Sequence, residues 1–202
     1  MTASRGHPPD PALFYGKSRL NALTFKVNAV GAAMLVTNAT FELEFSRWSA
    51  QLPVYFSGLD YFSHRTKFRI MALQPGIRYW FRPESDTGHT GWFAGAHLGM
   101  AWYNFALSGG DRIQDHNGRT PALGGGIEAG WRTTLGKTGR WKLELAIGAG
   151  AYKARYDHID NSGAGTVKSY RNKTFFGIDH VGVTFGYSLD LKKKMKGGSA
   201  HD

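Results

Sequence analysis

The chain of 202 residues contains no cysteine, which excludes a disulfide framework, a thiolate metal site and a cysteine nucleophile. It also has no run of about 18 apolar residues, so we expect no transmembrane helix. Proline is scarce, and three of its seven occurrences lie in a polar stretch at the start. We therefore expect residues 1–20 to be a flexible lead-in. The stretch 29–36 lacks the flanks of a signal peptide.

Acidic residues are outnumbered, since 25 Lys and Arg stand against 15 Asp and Glu, for a formal net charge of +10. The basic residues are spread between apolar segments, apart from a Lys-rich tail in residues 192–202. No helix-turn-helix, zinc-finger or RNA-binding motif accompanies them, so we expect no nucleic-acid partner. Phosphates of lipopolysaccharide, or solubility alone, explain the charge better.

Strict alternation of apolar and small or polar residues dominates the chain, which also holds 27 Gly and 14% aromatic residues. In residues 141–151 the odd positions are apolar: Trp141, Leu143, Leu145, Ile147, Ala149 and Ala151. Segments 92–102 and 180–191 alternate in the same way. Period 2 predicts strands with two different faces. The pattern predicts eight strands, at residues 22–33, 39–45, 48–57, 67–82, 92–107, 120–135, 141–158 and 174–191.

The predicted connections also alternate in length. Segments 46–47, 83–91 and 136–140 would lie at one end, and the longer segments 58–66, 108–119 and 159–173 at the other. A tight connection at 36–38 is the exception at the long-loop end. Short turns at one end and long loops at the other are typical of outer-membrane barrels. We therefore predict an all-β fold, an eight-stranded antiparallel up-and-down transmembrane β-barrel, over residues 21–191.

The polar face of these strands carries both signs of charge. Its four bases and four acids are Lys26, Arg78, Arg132, Lys142, Glu42, Glu44, Glu128 and Glu144. Eight strands leave an interior just wide enough for side chains, and unpaired buried charges are costly. We therefore predict a paired plug, with Arg78 as its hub because a guanidinium can bridge two carboxylates.

Aromatic residues on the apolar face predict a membrane girdle, formed by Trp48, Trp92, Trp102, Trp131, Trp141 and Tyr187. Trp92 and Trp102 lie ten residues apart on one face. At a strand tilt near 40° this separation spans about 25 Å, the height of the apolar band of a barrel. The alternative is that these aromatics pack the core of a soluble, lipocalin-like carrier.

Three segments and one dipeptide stand out by their wording: 74–81, QPGIRYWF; 92–99, WFAGAHLG; Tyr103-Asn104; and 141–150, WKLELAIGAG. In this order they resemble strands of a Bacteroidetes outer-membrane barrel family of unknown function. The first is similar to the family's "QPEIRYW" strand, the second and the dipeptide to its next strand, and the last to "WNLEAEIGVGY". The resemblance extends from about residue 28 to 191. It implies an eight-stranded barrel, often encoded near fimbrial or surface genes, with no established activity.

Catalytic and metal chemistry find little support in the sequence. The histidines at 89, 97, 116, 158 and 180 lack the spacing of a zinc or calcium site, and we expect His97 and His180 to form hydrogen bonds inside the barrel. Ser63-His64 is adjacent but lies in a loop, and no triad accompanies it. We expect no catalytic residue, metal or cofactor. The predicted role is an outer-membrane structural or surface-interaction protein, with lipid, lipopolysaccharide and an envelope protein as partners; the alternatives are a soluble carrier or a lipid-modifying barrel enzyme.

Overall fold

The computed structural model describes residues 20–60, 66–81, 88–108, 110–161 and 165–191. Within these ranges the chain forms ten strands and one short helix. They are β1 Leu20–Asn28, α1 Ala29–Ala33, β2 Thr37–Phe45, β3 Trp48–Asp60, β4 Lys67–Leu73, β5 Gly76–Trp80, β6 Gly91–Ser108, β7 Asp111–Asp115, β8 Ala122–Leu135, β9 Trp141–Asp160 and β10 Val167–Asp190. The all-β prediction is confirmed. The predicted lead-in and basic tail lie, but for Leu20, outside the described residues.

The strands form one sheet that closes on itself. Each strand pairs antiparallel with its neighbours, and β10 pairs with both β9 and β1, which completes the ring. β4 and β5 lie end to end and occupy one strand position, because both pair with β3 and β6. β7 and β8 likewise occupy one position, because both pair with β6 and β9. The ring therefore has eight strand positions. Every strand position of the ring is thus paired on both sides, although β10 pairs with β1 only over residues 184–190.

Pro75 divides one predicted strand into β4 and β5. Proline has no N–H, so the ladder lacks a donor at this residue. Hydrogen bonds continue on either side, because the Gln74 N–H donates to the Pro53 carbonyl at 3.1 Å and the Leu98 N–H to the Pro75 carbonyl at 2.9 Å. The register of β3 and β6 against both segments is unbroken. The prediction of one continuous strand over residues 67–82 is thus wrong, because two strands occupy this segment. Its predicted place in the sheet is confirmed.

The first strand ends earlier than the sequence pattern predicts. Residues 29–33 form α1 instead of continuing the strand, and the Asn28 side chain caps this helix by accepting from the Val30 N–H at 3.0 Å. Asn38 ties the two ends of the connection together, since its side-chain amide donates to the Asn28 carbonyl at 2.9 Å. Apolar composition alone does not distinguish a short helical turn from a strand.

Two predicted loops contain strands. β7 lies inside the predicted loop 108–119, and β10 begins at Val167, inside the predicted loop 159–173. β9 and β10 pair from Tyr187↔Trp141 out to Val167↔Ile159, so their hairpin continues well past the point where β1 stops pairing with β10, at Asn28↔Thr184. In this extension β10 is exposed on nearly every residue, and a strand without one buried face shows no clear alternation.

The ring has a polar interior and an apolar exterior. Its buried apolar cluster, among the described residues, consists of Trp80, Phe93 and Ala146. The large apolar side chains lie mostly on the outside, where Ile127 is 71% exposed and Ile147 56%. No helix in the described part of the chain is both long and apolar enough to cross a membrane.

Candidate functional site: the interior charge cluster and the outer surface

All eight charged residues that the sequence places on the inner face lie together inside the ring. None of them is more than 5% exposed. We call them the interior charge cluster: Lys26, Glu42, Glu44, Arg78, Glu128, Arg132, Lys142 and Glu144. They come from β1, β2, β5, β8 and β9, so the cluster spans the interior from one wall to the other. With four bases and four acids, its formal charges cancel.

Arg78 joins the carboxylates of two strands. Its Nε and Nη2 donate to Glu128 Oε1 and Oε2 at 2.8 and 2.9 Å, a bidentate contact. Its Nη1 donates to Glu144 Oε1 at 2.9 Å. The side chain also lies over the Phe93 ring, with the guanidinium carbon 4.2 Å from the ring centroid. This geometry fixes the guanidinium plane from three sides.

Arg132 donates hydrogen bonds to three carboxylates and Arg78 to two, so the prediction of Arg78 as the hub is incomplete. Its Nε donates to Glu144 Oε2 at 2.7 Å and its Nη1 to Glu44 Oε1 at 2.8 Å. Its Nη2 contacts Glu42. The cluster therefore has two guanidinium centres, linked through Glu144. The Arg132–Glu144 contact is direct because these residues face each other across β8 and β9.

The two lysines have different surroundings. Lys26 Nζ lies 2.8 Å from Glu42 Oε2 and 3.3 Å from Glu144 Oε1, and it donates to Gln51 Oε1 at 3.1 Å. Lys142 Nζ instead donates to the Gly88 carbonyl at 3.5 Å. Among the described residues Lys142 has no carboxylate within ion-pair distance, so it lies in the interior but is not paired as predicted.

Neutral polar groups complete the hydrogen bonding of the cluster. Gln51 Nε2 donates to Glu128 Oε1 at 2.8 Å, and Thr24 Oγ1 donates to Glu44 Oε1 at 2.9 Å. Trp80 Nε1 donates to Ser49 Oγ at 3.0 Å, and the Trp80 ring lies under the Arg132 guanidinium at 4.5 Å. Buried charges are tolerated when their remaining lone pairs and protons are satisfied in this way.

Glycines make the cross-strand contacts possible. Gly95 stands between Arg78 and Glu128 in the row that crosses β5, β6 and β8. A Cβ atom at this position would lie 2.7 Å from the Ile77 carbonyl oxygen and 3.0 Å from both Arg78 Cγ and Glu128 Oε1. Because Gly95 has no side chain, the Arg78–Glu128 ion pair can occupy the space above it.

A second polar group, which the sequence pattern does not reveal, lies above the cluster. His97 Nε2 is 2.7 Å from Asp179 Oδ2, and the Tyr152 hydroxyl donates to the same oxygen at 2.9 Å. Asp179 breaks the alternation, because Ile178 and His180 pair with the consecutive residues Ala149 and Gly148. The bulge leaves Asp179 as an extra residue and turns its carboxylate inward. The predicted hydrogen bond of His97 is present, and its partner is this carboxylate.

The six predicted girdle aromatics all lie on the apolar side of their strands. Trp92 is 67% exposed, Trp141 55% and Trp48 44%. Trp131 faces Trp92 directly across β6 and β8, and the rings of Trp141 and Tyr187 meet edge to face at 5.1 Å. These five mark the end of the ring where the turns are short. Trp102 lies towards the other end and faces Met71 of β4.

Polar contacts order the outer end of the long hairpin. His116 Nδ1 lies 2.7 Å from Asp157 Oδ1, and the Asn117 N–H donates to Asp157 Oδ2 at 2.9 Å. Burial raises the pKa of the Asp157 carboxyl, and the hydrogen bonds from Asn117 and His116 lower it. The lowering is the larger effect, so this pKa lies below its usual value. Among the described residues no group of three or more histidine, aspartate or glutamate side chains could hold a metal ion.

The arrangement can block a pore and hold the strands in register, because its charges are paired with each other. It does not place a nucleophile beside a base, and Ser63 and His64 lie outside the described residues.

No curated protein and no solved structure shows a significant match to the chain. A family profile, however, matches residues 12–193. The chain therefore belongs to a family of proteins of unknown function, DUF3575.

Proposed function

We propose that the protein is an outer-membrane β-barrel with a structural or surface-interaction role and without catalytic activity. One observation carries this proposal: large apolar side chains cover the outside of a ring whose interior holds eight charged residues. A soluble carrier would show the reverse, with apolar side chains around its cavity. Lipid is the environment that an apolar exterior favours.

The length of the strands supports this assignment. A tilted strand crosses a bilayer in about 9–11 residues, and β9 has 20 and β10 has 24. The outward residues from Trp141 to Ala151 would span the bilayer, and the rest of the hairpin would project beyond it. The chain's resemblance to outer-membrane proteins encoded near fimbrial or surface genes agrees with an exposed, interacting outer end.

Basic residues at the outer limit of the apolar surface suggest lipopolysaccharide as the lipid partner. Phe176 and Ile178 are 80% and 69% exposed on the outer face of β10. Phe176 pairs with Ala151, and Lys153 and Arg155 follow on the same face of β9, both exposed. Cationic side chains at this level would meet the phosphates of the outer leaflet.

Single-cysteine labelling tests the location and the orientation, because the chain has no cysteine of its own. K168C lies on the projecting part of β10, and K137C lies in the short connection between β8 and β9. In intact cells a membrane-impermeant maleimide should label K168C but not K137C, and both should react after lysis. Equal labelling of the two in intact cells, or recovery of the protein outside the membrane fraction, would contradict the proposal.

The same variants test for a surface partner. A photoactivated cross-linker attached at K168C should capture an envelope or surface protein that the K137C control does not capture. Because both variants carry the same chemistry, a product seen with both would reflect non-specific contact and would count against an interaction at the outer end.

A further inference from the structure

A cavity of about 510 Å³ lies inside the ring, between the interior charge cluster and the end of the ring opposite the short turns. Its lining comes from β1, β3, β4, β6, β9 and β10, which stand on opposite walls, and from α1. The volume falls within the range of about 300–1,000 Å³ that is usual for small-molecule sites. None of the eight residues of the interior charge cluster lines this cavity, whereas Asp179 and Tyr152 do.

The walls of the cavity are mainly apolar. They include Val30 of α1, Met34 at the end of that helix, Tyr55 of β3, and Phe68 and Ile70 of β4. Ala72 and Ala101 face each other across β4 and β6 and leave the space between those strands open. Gly99 instead makes room for the Tyr152 ring, which a Cβ atom there would overlap. The small residues of β4 and β6 thus leave space inside the ring.

The floor is polar and is built by the β10 bulge. Asp179 and His180 are consecutive, yet both point into the ring because Asp179 is the extra residue of the bulge. The two are nearly buried, with side chains 11% and 10% exposed. His97 and Tyr152 hold Asp179 through its Oδ2. Bulges of this kind are often found where a side chain is turned towards a site.

Two buried atoms of this floor lack a hydrogen-bond partner among the described residues, Asp179 Oδ1 and His180 Nε2. The nearest carboxylate oxygen to His180 Nε2, Glu128 Oε2, is 4.0 Å away, beyond hydrogen-bond distance. Buried polar groups in native proteins are nearly always satisfied. Two orphaned groups on adjacent residues at the floor of one cavity therefore indicate a missing polar partner.

We propose that this cavity binds a compact apolar molecule that carries an alcohol or amine group. The apolar body would fill the space between β4, β6 and α1, and the head group would donate a hydrogen bond to Asp179 Oδ1. An alcohol oxygen can in addition accept from His180 Nε2. A carboxylate head is disfavoured, because it would face Asp179 at close range and Glu128 beneath it.

This site depends on the interior of the ring and not on what surrounds the ring. A failure of the proposed membrane location would therefore not contradict the site, and a failure of the site would not contradict the location.

The test uses the full chain in lipid nanodiscs, or in buffer if the protein needs no lipid. Three probes of equal shape differ only in the head group: 1-adamantanemethanol, 1-adamantanemethylamine and 1-adamantanecarboxylate. Calorimetric titration, corrected with empty nanodiscs, measures their binding.

We expect the alcohol and the amine to bind at least about tenfold more tightly than the carboxylate, the effect of one hydrogen bond to a charged group. Asp179→Asn should weaken amine binding by a similar factor. Ala72→Phe should abolish binding of all three by filling the cavity. Asp111→Asn, which removes a carboxylate outside the cavity, is the matched control and should change nothing.

Three results would overturn the site: no binding of any probe, equal binding of all three, or undiminished binding to Ala72→Phe. The first would mean that water alone satisfies the two orphaned atoms. If Asp179→Asn does not fold, the comparison of the three probes on the unaltered protein and on Ala72→Phe still decides the question.

Discussion

Arg78 and Glu128 form a bidentate ion pair across the interior of the ring, with both contacts within 2.9 Å, although a whole strand separates them. The strand between them, β6, contributes only Gly95 at this level. The two side chains meet directly over Gly95, where a Cβ atom would lie 3.0 Å from both Arg78 Cγ and Glu128 Oε1. The pattern of glycines on the inner face is therefore part of the charge cluster.

Gly95→Ala should destabilise the protein, because its Cβ atom would press against the Ile77 carbonyl and against the ion pair. Overpacking of this kind costs about 1–3 kcal/mol in free energy of unfolding. Gly177→Ala is the matched control, since a Cβ atom there has nothing within 4 Å. Urea unfolding in lipid vesicles measures both. Equal stability of the two variants would show that the space at Gly95 is not needed.

Arg78→Ala and Glu128→Ala should each lower the free energy of unfolding by about 3–5 kcal/mol. Arg78→Ala leaves the buried Glu128 without its guanidinium partner, and Glu128→Ala leaves two buried donors of Arg78 without their acceptors. The control is Lys168→Ala, which breaks the exposed 2.9 Å pair with Asp111 and should have no measurable effect. Losses below about 1 kcal/mol for both cluster variants would mean that their charges are solvated, as at a protein surface.

Leu145→Arg should destabilise the membrane-inserted protein by about 2–4 kcal/mol, since it places a charge in the middle of the outward apolar face. Thr174→Arg is the matched control on the outer part of β10, where the cost near the interface falls to about 0–1 kcal/mol. Both variants are compared by unfolding from vesicles. An arginine tolerated equally well at the two positions would argue against contact between Leu145 and lipid.

The protein should form no large, steady pore in a planar bilayer. Side chains from five strands fill the interior at the level of the interior charge cluster, and an eight-stranded barrel leaves no wider channel there. Single-channel recording of the purified protein checks this. Stable, high conductance would contradict a closed plug, whereas brief flickering would not.

The inner face could be predicted from the sequence because a strand's side chains alternate strictly. If Glu144 faces inward, Lys142 two residues earlier on the same strand must face inward as well. The same rule places Glu128 and Arg132 together on the inner face of β8. The number of strand positions followed from the repeated segments. These inferences depend only on local pattern, which the ring preserves.

The remaining features depend on departures from that pattern. The bulge at Asp179 adds one residue, and no local composition announces it, so the carboxylate that holds His97 was missed. The extension of β10 to Val167 has no buried face to impose alternation. Which bases pair with which acids was also out of reach, because Arg132 reaches Glu44, 88 residues away in sequence, only through the curvature of the closed sheet.

The central claim is that lipid covers the outside of the ring, and spin-label accessibility at I147C tests it most directly. Ile147 is 56% exposed on the outward face of β9, and K168C on the projecting part of β10 is the control. In liposomes a label at I147C should collide readily with oxygen and poorly with a polar nickel chelate, whereas a label at K168C should show the opposite. A label at I147C that is as accessible to the nickel chelate as the one at K168C would contradict the claim.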